Sequence, residues 1–141
     1  MNSYNKPLPD ISNPLTAPFW DGLRRRELRV QRCKECRALR FPASAICPEC
    51  LASAAEWSPI TPVGQLWSFV VYHRALAPSF AADVPYVVGV VELEGLHIVS
   101  AVDAAINDLR IGMAMEARFD DVTETVTLLK WIPLATEISN G

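Results

Sequence analysis

Four cysteines stand in two pairs, Cys33-Lys34-Glu35-Cys36 and Cys47-Pro48-Glu49-Cys50, with ten residues between the pairs. Four thiolates close a tetrahedral shell around Zn²⁺, and the C-x-x-C spacing lets one tight turn present two sulfurs to a single ion. Pro48 suits such a turn, because its ring sets φ and its missing N–H costs nothing where no ladder bond is needed. Four protein ligands leave no open coordination position, so the expected zinc is structural rather than catalytic. Two other uses of four cysteines compete. A disulfide framework belongs to a secreted chain, yet Met1 to Lys6 shows no basic segment leading into an apolar stretch and a small-residue cleavage site. A redox pair of the thioredoxin kind opens a helix between two strands, whereas both pairs here sit among turns.

Other chemistry-bearing residues are few. The histidines are His73 and His97, and no serine lies in a recognisable nucleophile-and-base motif. His73, at the end of an expected strand, reads either as an acid or base at a site shared with another chain or as a hydrogen-bonded strand-end residue. His97 reads as a residue on a strand face. With the cysteines committed to metal, a covalent nucleophile would have to come from elsewhere.

Charge is divided unevenly. The first 64 residues carry nine bases and six acids, and eight of those bases fall between Arg24 and Arg40. From Gln65 onward four bases face ten acids. Four thiolates around Zn²⁺ add a net −2 to the first half. Neither half is the strongly cationic surface on which nucleic-acid affinity is built. A single-stranded nucleic-acid-binding module remains the alternative reading, since ribbons and OB barrels both occur in such proteins.

The elements that must hold the cysteines follow from pattern. With 141 residues, half of them apolar, 9% aromatic and 21% charged, the chain can bury one real core plus a metal-held appendage. The longest nearly uninterrupted apolar run, Val84 to Val91, is too short to span a bilayer, so a cytoplasmic location is expected. Met1 to Leu15, with Pro7, Pro9 and Pro14, reads as an extended arm that either wraps a partner or frays. Thr16 is placed to cap a helix through Glu27, with Pro18 in its first turn and Phe19, Trp20 and Leu23 on one side. A helix of about twelve residues is marginal alone and must dock. Leu28 to Arg32 leads as a strand into the first cysteine pair, and Leu51 to Glu56 reads as a connector.

Five strands follow, over Gln65 to His73, Tyr86 to Leu93, Leu96 to Val102, Met113 to Phe119 and Thr125 to Ile132, with Glu94-Gly95 as a hairpin turn. A short helix over Asp103 to Leu109 completes the order of an OB-fold. The expected architecture is mainly β: an N-terminal arm and helix (1–27), a rubredoxin-like zinc ribbon (28–60), a five-stranded OB barrel (61–135) and a tail (136–141). The first two barrel strands carry apolar residues on both faces, Trp67, Phe69 and Val71 against Leu66, Val70 and Tyr72. Something must cover the outside, either the helix or another subunit. The twelve-residue loop from Arg74 to Pro85, with Leu76 and Phe80, is apolar enough to meet protein or an acyl chain rather than phosphate. Phe19, Trp20, Leu23, Leu66, Tyr72 and Phe80 are thus the candidate partner contacts.

Several of these residues together resemble a known family. Pro18-Phe19-Trp20-Asp21-Gly22-Leu23, the two C-x-x-C pairs, Arg40-Phe41-Pro42, Trp57, Gly64, Pro85-Tyr86 and Leu109-Arg110-Ile111-Gly112-Met113 are similar, in order and spacing, to the zinc-ribbon OB-fold proteins catalogued as domain of unknown function 35. The resemblance implies a non-catalytic subunit that binds and stabilises a thiolase-like or aldolase-like enzyme, or an acyl-CoA hydratase. It also implies a heteromeric complex of lipid or aromatic-acid metabolism, with a coenzyme A thioester near the shared interface. Under that implication Arg24, Arg25, Arg26 and Arg29 become candidates to clasp coenzyme A phosphates, since guanidinium forks suit them. The plainer reading of each is a solvated helix face.

Overall fold

The computed structural model describes residues 4–134, so the expected tail and the first three residues of the arm lie outside the described residues. Helix α1 (Ala17–Arg24) has Pro18 in its first turn, where a missing N–H is harmless. Thr16 holds the N-cap position without a side-chain cap bond, and the Asn13 carbonyl instead accepts from the N–H groups of Thr16 and Ala17. The helix stops well short of Glu27. Arg26 turns to φ +64, its N–H donates to Leu23 O at 3.1 Å, and the Glu27 N–H reaches back to Gly22 O at 2.8 Å. That pair of bonds is a Schellman stop, here made by an arginine in the left-handed region that glycine usually takes. Arg26 is held there by a fork of two hydrogen bonds to Asp121, at 2.9 and 2.7 Å.

The ribbon sheet has the order β2-β1-β3, from β1 (Leu28–Cys33), β2 (Leu39–Arg40) and β3 (Ala55–Ile60). Sequence pattern misses β3, since Leu51 to Glu56 reads as a connector and Pro59, Pro62 and Gly64 as punctuation before the barrel. Yet β3 pairs with β1 along its whole length, Leu28 opposite Ile60 through Cys33 opposite Ala55. It is an edge strand, where a proline lacking a donor is tolerated. Leu28, Val30 and Ile60 drop from this sheet into the same core as Leu23 of α1 and Leu66, Met115 and Trp131 of the barrel. One continuous core therefore runs from helix to barrel.

The barrel comprises β4 (Val63–Tyr72), β5 (Tyr86–Leu93), β6 (Leu96–Val102), β7 (Ala114–Asp121) and β8 (Thr127–Pro133), closed in the order β4-β5-β6-β8-β7. Strands β6 and β8 run parallel and every other neighbouring pair antiparallel, which is the OB connectivity. Glu94 and Gly95, both at positive φ, make the tight hairpin between β5 and β6. The expected helix before β7 is a single 3₁₀ turn, Ile106–Asp108. Gly64 sits where β4 crosses β5: a Cβ there would lie 2.9 Å from Leu93 Cβ and Val91 Cγ1, and closer still to Glu92 O.

A bulge between Leu66 and Ser68 resolves the apolar load on both faces of β4. The extra residue reverses the alternation. Leu66 points inward before the bulge, while Phe69 and Val71 pack on the core after it. Trp67, expected on the face of Phe69 and Val71, is turned outward and stacks on His97 with centroids 4.3 Å apart.

Candidate metal centre and docking groove

Each C-x-x-C pair is built in the same way. The Arg37 N–H donates to Cys33 O at 3.0 Å and the Leu51 N–H to Cys47 O at 2.8 Å, and both Arg37 and Leu51 take positive φ. The Cys33 N–H then donates to Ala38 O, and the Cys47 N–H to Ala52 O. Two equivalent knuckles thus face each other. All four Sγ atoms lie within 4.8 Å of one another, with Cys33 to Cys50 at 3.5 Å and Cys36 to Cys47 at 3.7 Å. A tetrahedron with Zn–S bonds of about 2.3 Å has edges of about 3.8 Å, and a disulfide needs sulfurs about 2 Å apart. The cysteines are free thiols shaped for a metal. Without one they cannot all ionise: the Cys50 N–H holds Cys47 down to about 6. Cys50 is pushed up to about 12, where the Ala52 N–H opposes the shift but the neighbouring Cys33 sulfur, burial and the other two sulfurs prevail. A divalent cation removes that conflict. Four thiolates and no open position make the zinc structural.

The arginines divide by partner. Arg26 is spent on Asp121, and Arg29 on Glu27 at 2.8 Å and Asp21 at 3.3 Å. Arg25 reaches Asp21 at 3.1 Å from an exposed position. Of the four candidates for a phosphate clasp, Arg25, Arg26 and Arg29 therefore each pair with an internal carboxylate, while Arg24 lies exposed at the end of α1. The Arg26 hydrogen bond, with a second from Thr127, holds the Asp121 carboxyl well below the usual carboxylate range.

Five of the six apolar candidates meet in one place. Phe19, Trp20, Leu23, Tyr72 and Phe80 line a groove of about 850 Å³ between α1, the ribbon, β5, β6 and β8, and the loop after β4. Leu23 is 0% exposed and meets the groove from beneath α1, whereas Leu66, also 0% exposed, lies inside the barrel and apart from the groove lining. Tyr72 stacks on Tyr86 at 5.0 Å and Phe80 on Tyr86 at 5.4 Å, which ties the loop to the barrel. The arm folds back to it, with Lys6 paired to Asp83 at 2.8 Å and lying over the Phe80 ring.

The sequence reading passed over Arg40 as a site residue. It is 5% exposed, lines the groove and donates from Nε to Gln31 Oε1 at 2.9 Å. The signal available was the Arg40-Phe41-Pro42 triplet, which placed it beside an aromatic but not in a cavity. The outer face of β4 to β6 continues the apolar surface past the groove, which Val88 and Val99 also line, with Trp67 at 53%, Val70 at 51% and Val99 at 57% exposure, joined through the pairs Val70 with Val88 and Val90 with Val99.

Comparison with known proteins follows the same two-part build. Residues 20–56 match the rubredoxin-like zinc ribbon domain of ChsH2 and residues 57–120 its C-terminal OB-fold domain. The chain belongs to the ChsH2-type zinc-ribbon and OB-fold family, DUF35. A DUF35 domain-containing scaffold protein of Methanocaldococcus jannaschii is 36% identical over 96 residues, covering 66% of this chain and 67% of that protein. A probable enoyl-CoA hydratase alpha subunit of Thermomonospora curvata is 34% identical over 115 residues, covering 78% of this chain but only 35% of the relative. The chain thus spans about a third of that subunit's length. A solved chain described as the Ltp2-ChsH2(DUF35) aldolase superposes with a TM-score of 0.79 at 30% identity, over 89% of this chain and 98% of that one. Among the described residues no helix is long and apolar enough to cross a membrane.

Proposed function

We propose that this DUF35 chain is a non-catalytic accessory subunit. It docks on, and stabilises, an acyl-CoA-processing enzyme of thiolase, aldolase or hydratase type. The observation that carries the reading is the open face of β4, β5 and β6. Trp67, Val70 and Val99 form an exposed apolar surface on a barrel whose other side is already covered by its own helix. Such a surface is stabilised by a partner, and relatives described as the Ltp2-ChsH2(DUF35) aldolase and a probable enoyl-CoA hydratase alpha subunit supply the partner class. The chemistry belongs to that partner. Neither His73 nor His97 stands in a nucleophile-and-base arrangement, and His97 is occupied by Trp67 and by Glu92 at 3.2 Å. Exposed Arg24 remains to meet coenzyme A phosphates at the joint surface. Cysteines kept out of disulfides for zinc suit a reducing, cytoplasmic setting.

The nucleic-acid alternative loses ground for a specific reason: Arg26, Arg29 and Arg37 of the basic stretch are engaged by carboxylates of the chain itself. The test is co-expression with a thiolase-like, aldolase-like or hydratase-like enzyme of the same organism. Comigration on size exclusion is expected, with no thiolysis, hydration or aldol cleavage by the chain alone. Separate migration of two fully active components overturns the reading, as does turnover by the isolated chain.

A further inference from the structure

The groove between helix, ribbon and barrel holds an electrostatic imbalance that its walls do not answer. Five charged residues line it. Four are paired within the chain: Lys6 with Asp83, Asp103 with Arg118 and Lys130 with Asp120. The fifth, Arg40, is 95% withdrawn from solvent, and among the described residues its Nη1 is a buried donor with no partner. Its Nε is taken by the neutral Gln31 amide oxygen, which also accepts from the Ser44 N–H at 2.8 Å, so the guanidinium is positioned but not neutralised. No cysteine sulfur comes within hydrogen-bonding distance of it. A buried guanidinium left without a counter-charge is costly, and the cost is removed when an anion reaches it.

From this geometry we infer that the groove is a binding site for a small apolar carboxylic acid, whose carboxylate pairs with Arg40 and whose hydrocarbon or aromatic body lies along Phe19, Trp20, Phe41 and Phe80. A carboxylate matches the guanidinium fork and supplies one negative charge for one unpaired positive charge. A phosphate would bring a second charge into a groove whose remaining cations are already paired. About 850 Å³ is the size of a small-molecule site, and mainly apolar walls with a few placed polar groups are what such sites have. The proposal needs no partner enzyme and no coenzyme A. It adds a ligand site to the docking role described above, and the two fail in different experiments.

The probe is decanoate, with decanol as the same apolar body lacking the charge. Both are titrated into the zinc-loaded full chain by calorimetry and by tryptophan emission, since Trp20 and Trp57 line the groove. Decanoate is expected to bind at least tenfold more tightly than decanol, and Arg40→Met to abolish that preference while leaving residual binding of both. Phe80→Ala, on the wall and away from the ribbon, should weaken decanoate several-fold and keep the preference, which reports on the groove even where Arg40→Met does not fold. The proposal is overturned by equal affinity of acid and alcohol in the wild-type chain. It is equally overturned by no binding of decanoate up to about millimolar concentration, or by a preference that survives Arg40→Met. Comigration of the wild-type chain with a partner enzyme remains the separate test of the docking role.

Discussion

The two sides of the barrel start from similar apolar sequence and end differently. On the β7–β8 side, α1 lies against the barrel, Leu23 is sealed from solvent, and the Arg26 fork on Asp121 pins the helix end to β7. On the β4–β6 side, Trp67, Val70 and Val99 remain in solvent although they sit on strands as apolar as any in the chain. The difference lies in connectivity. The helix is delivered to its side by the ribbon, whose β1 continues directly from the Schellman turn, and the ribbon is held in shape by metal. On the other side the loop after β4 reaches back, with Phe80 stacked on Tyr86, but it leaves Trp67, Val70 and Val99 in solvent.

The largest way to break this contrast is to remove the zinc. Stripping the metal with a chelator, or replacing Cys47 by Ser, should unfold the ribbon, because structural zinc supplies folding free energy on the order of 10 kcal/mol. Wild-type protein should carry close to one zinc per chain by elemental analysis. Hydrogen exchange in the stripped protein should rise on β7 and β8, which lose their cover, more than on β4 to β6. Equal protection on both sides would show that the ribbon does not deliver the helix.

Next in size is a matched pair of truncations. Leu23→Ala, on the covered side, should cost about 2–5 kcal/mol in chemical denaturation, the range for opening a cavity in a packed core. Val70→Ala, on the open side, should stay within about 0.5 kcal/mol, as exposed substitutions do. Trp67→Ala and Val70→Asp carry the open face to the partner: each should weaken comigration with the enzyme by about tenfold or more, as centrally placed interface residues do, while leaving zinc content and thermal midpoint near wild type. Retained comigration in both would place the docking surface elsewhere.

The smallest effect belongs to the ion pair that finishes the covered side. The folded Asp121 carboxyl is depressed by Arg26 and Thr127, so its contribution is fully present above the unfolded value of about 3.8 and is lost as pH falls through the lower folded value. Asp121→Asn should therefore lower the thermal midpoint slightly at pH 7, and the gap to wild type should close only below the usual carboxylate range. Both groups are about half exposed, so added salt should also narrow the gap.

Some of this was legible in residue order and some was not. The zinc cysteines were, because C-x-x-C is a local geometry that one turn satisfies. The five barrel strands were also legible to within a few residues, since alternation and the Glu94-Gly95 hairpin are local signals. Strand β3 was not, because Pro59 suits a strand only at an edge, and edge status depends on β1 pairing across more than twenty residues. The helix ended three residues early through a left-handed Arg26 whose anchor, Asp121, is ninety-five residues away. Leu66 and Trp67 exchanged their expected roles because a bulge shifts the alternation without leaving a compositional mark.

Residue types and spacing by themselves determined that four thiols would gather round one metal, that a β-barrel would follow, and that the barrel would be too apolar on its outside to stand uncovered. Only the tertiary structure decided which side its own helix covers, which arginines are spent on internal carboxylates, and that Arg40 is buried in a groove with a donor left over. The physical reason is range. Turn geometry and alternation act between neighbours, whereas cover, pairing and burial depend on which distant segments the closed barrel and the metal-held ribbon bring together.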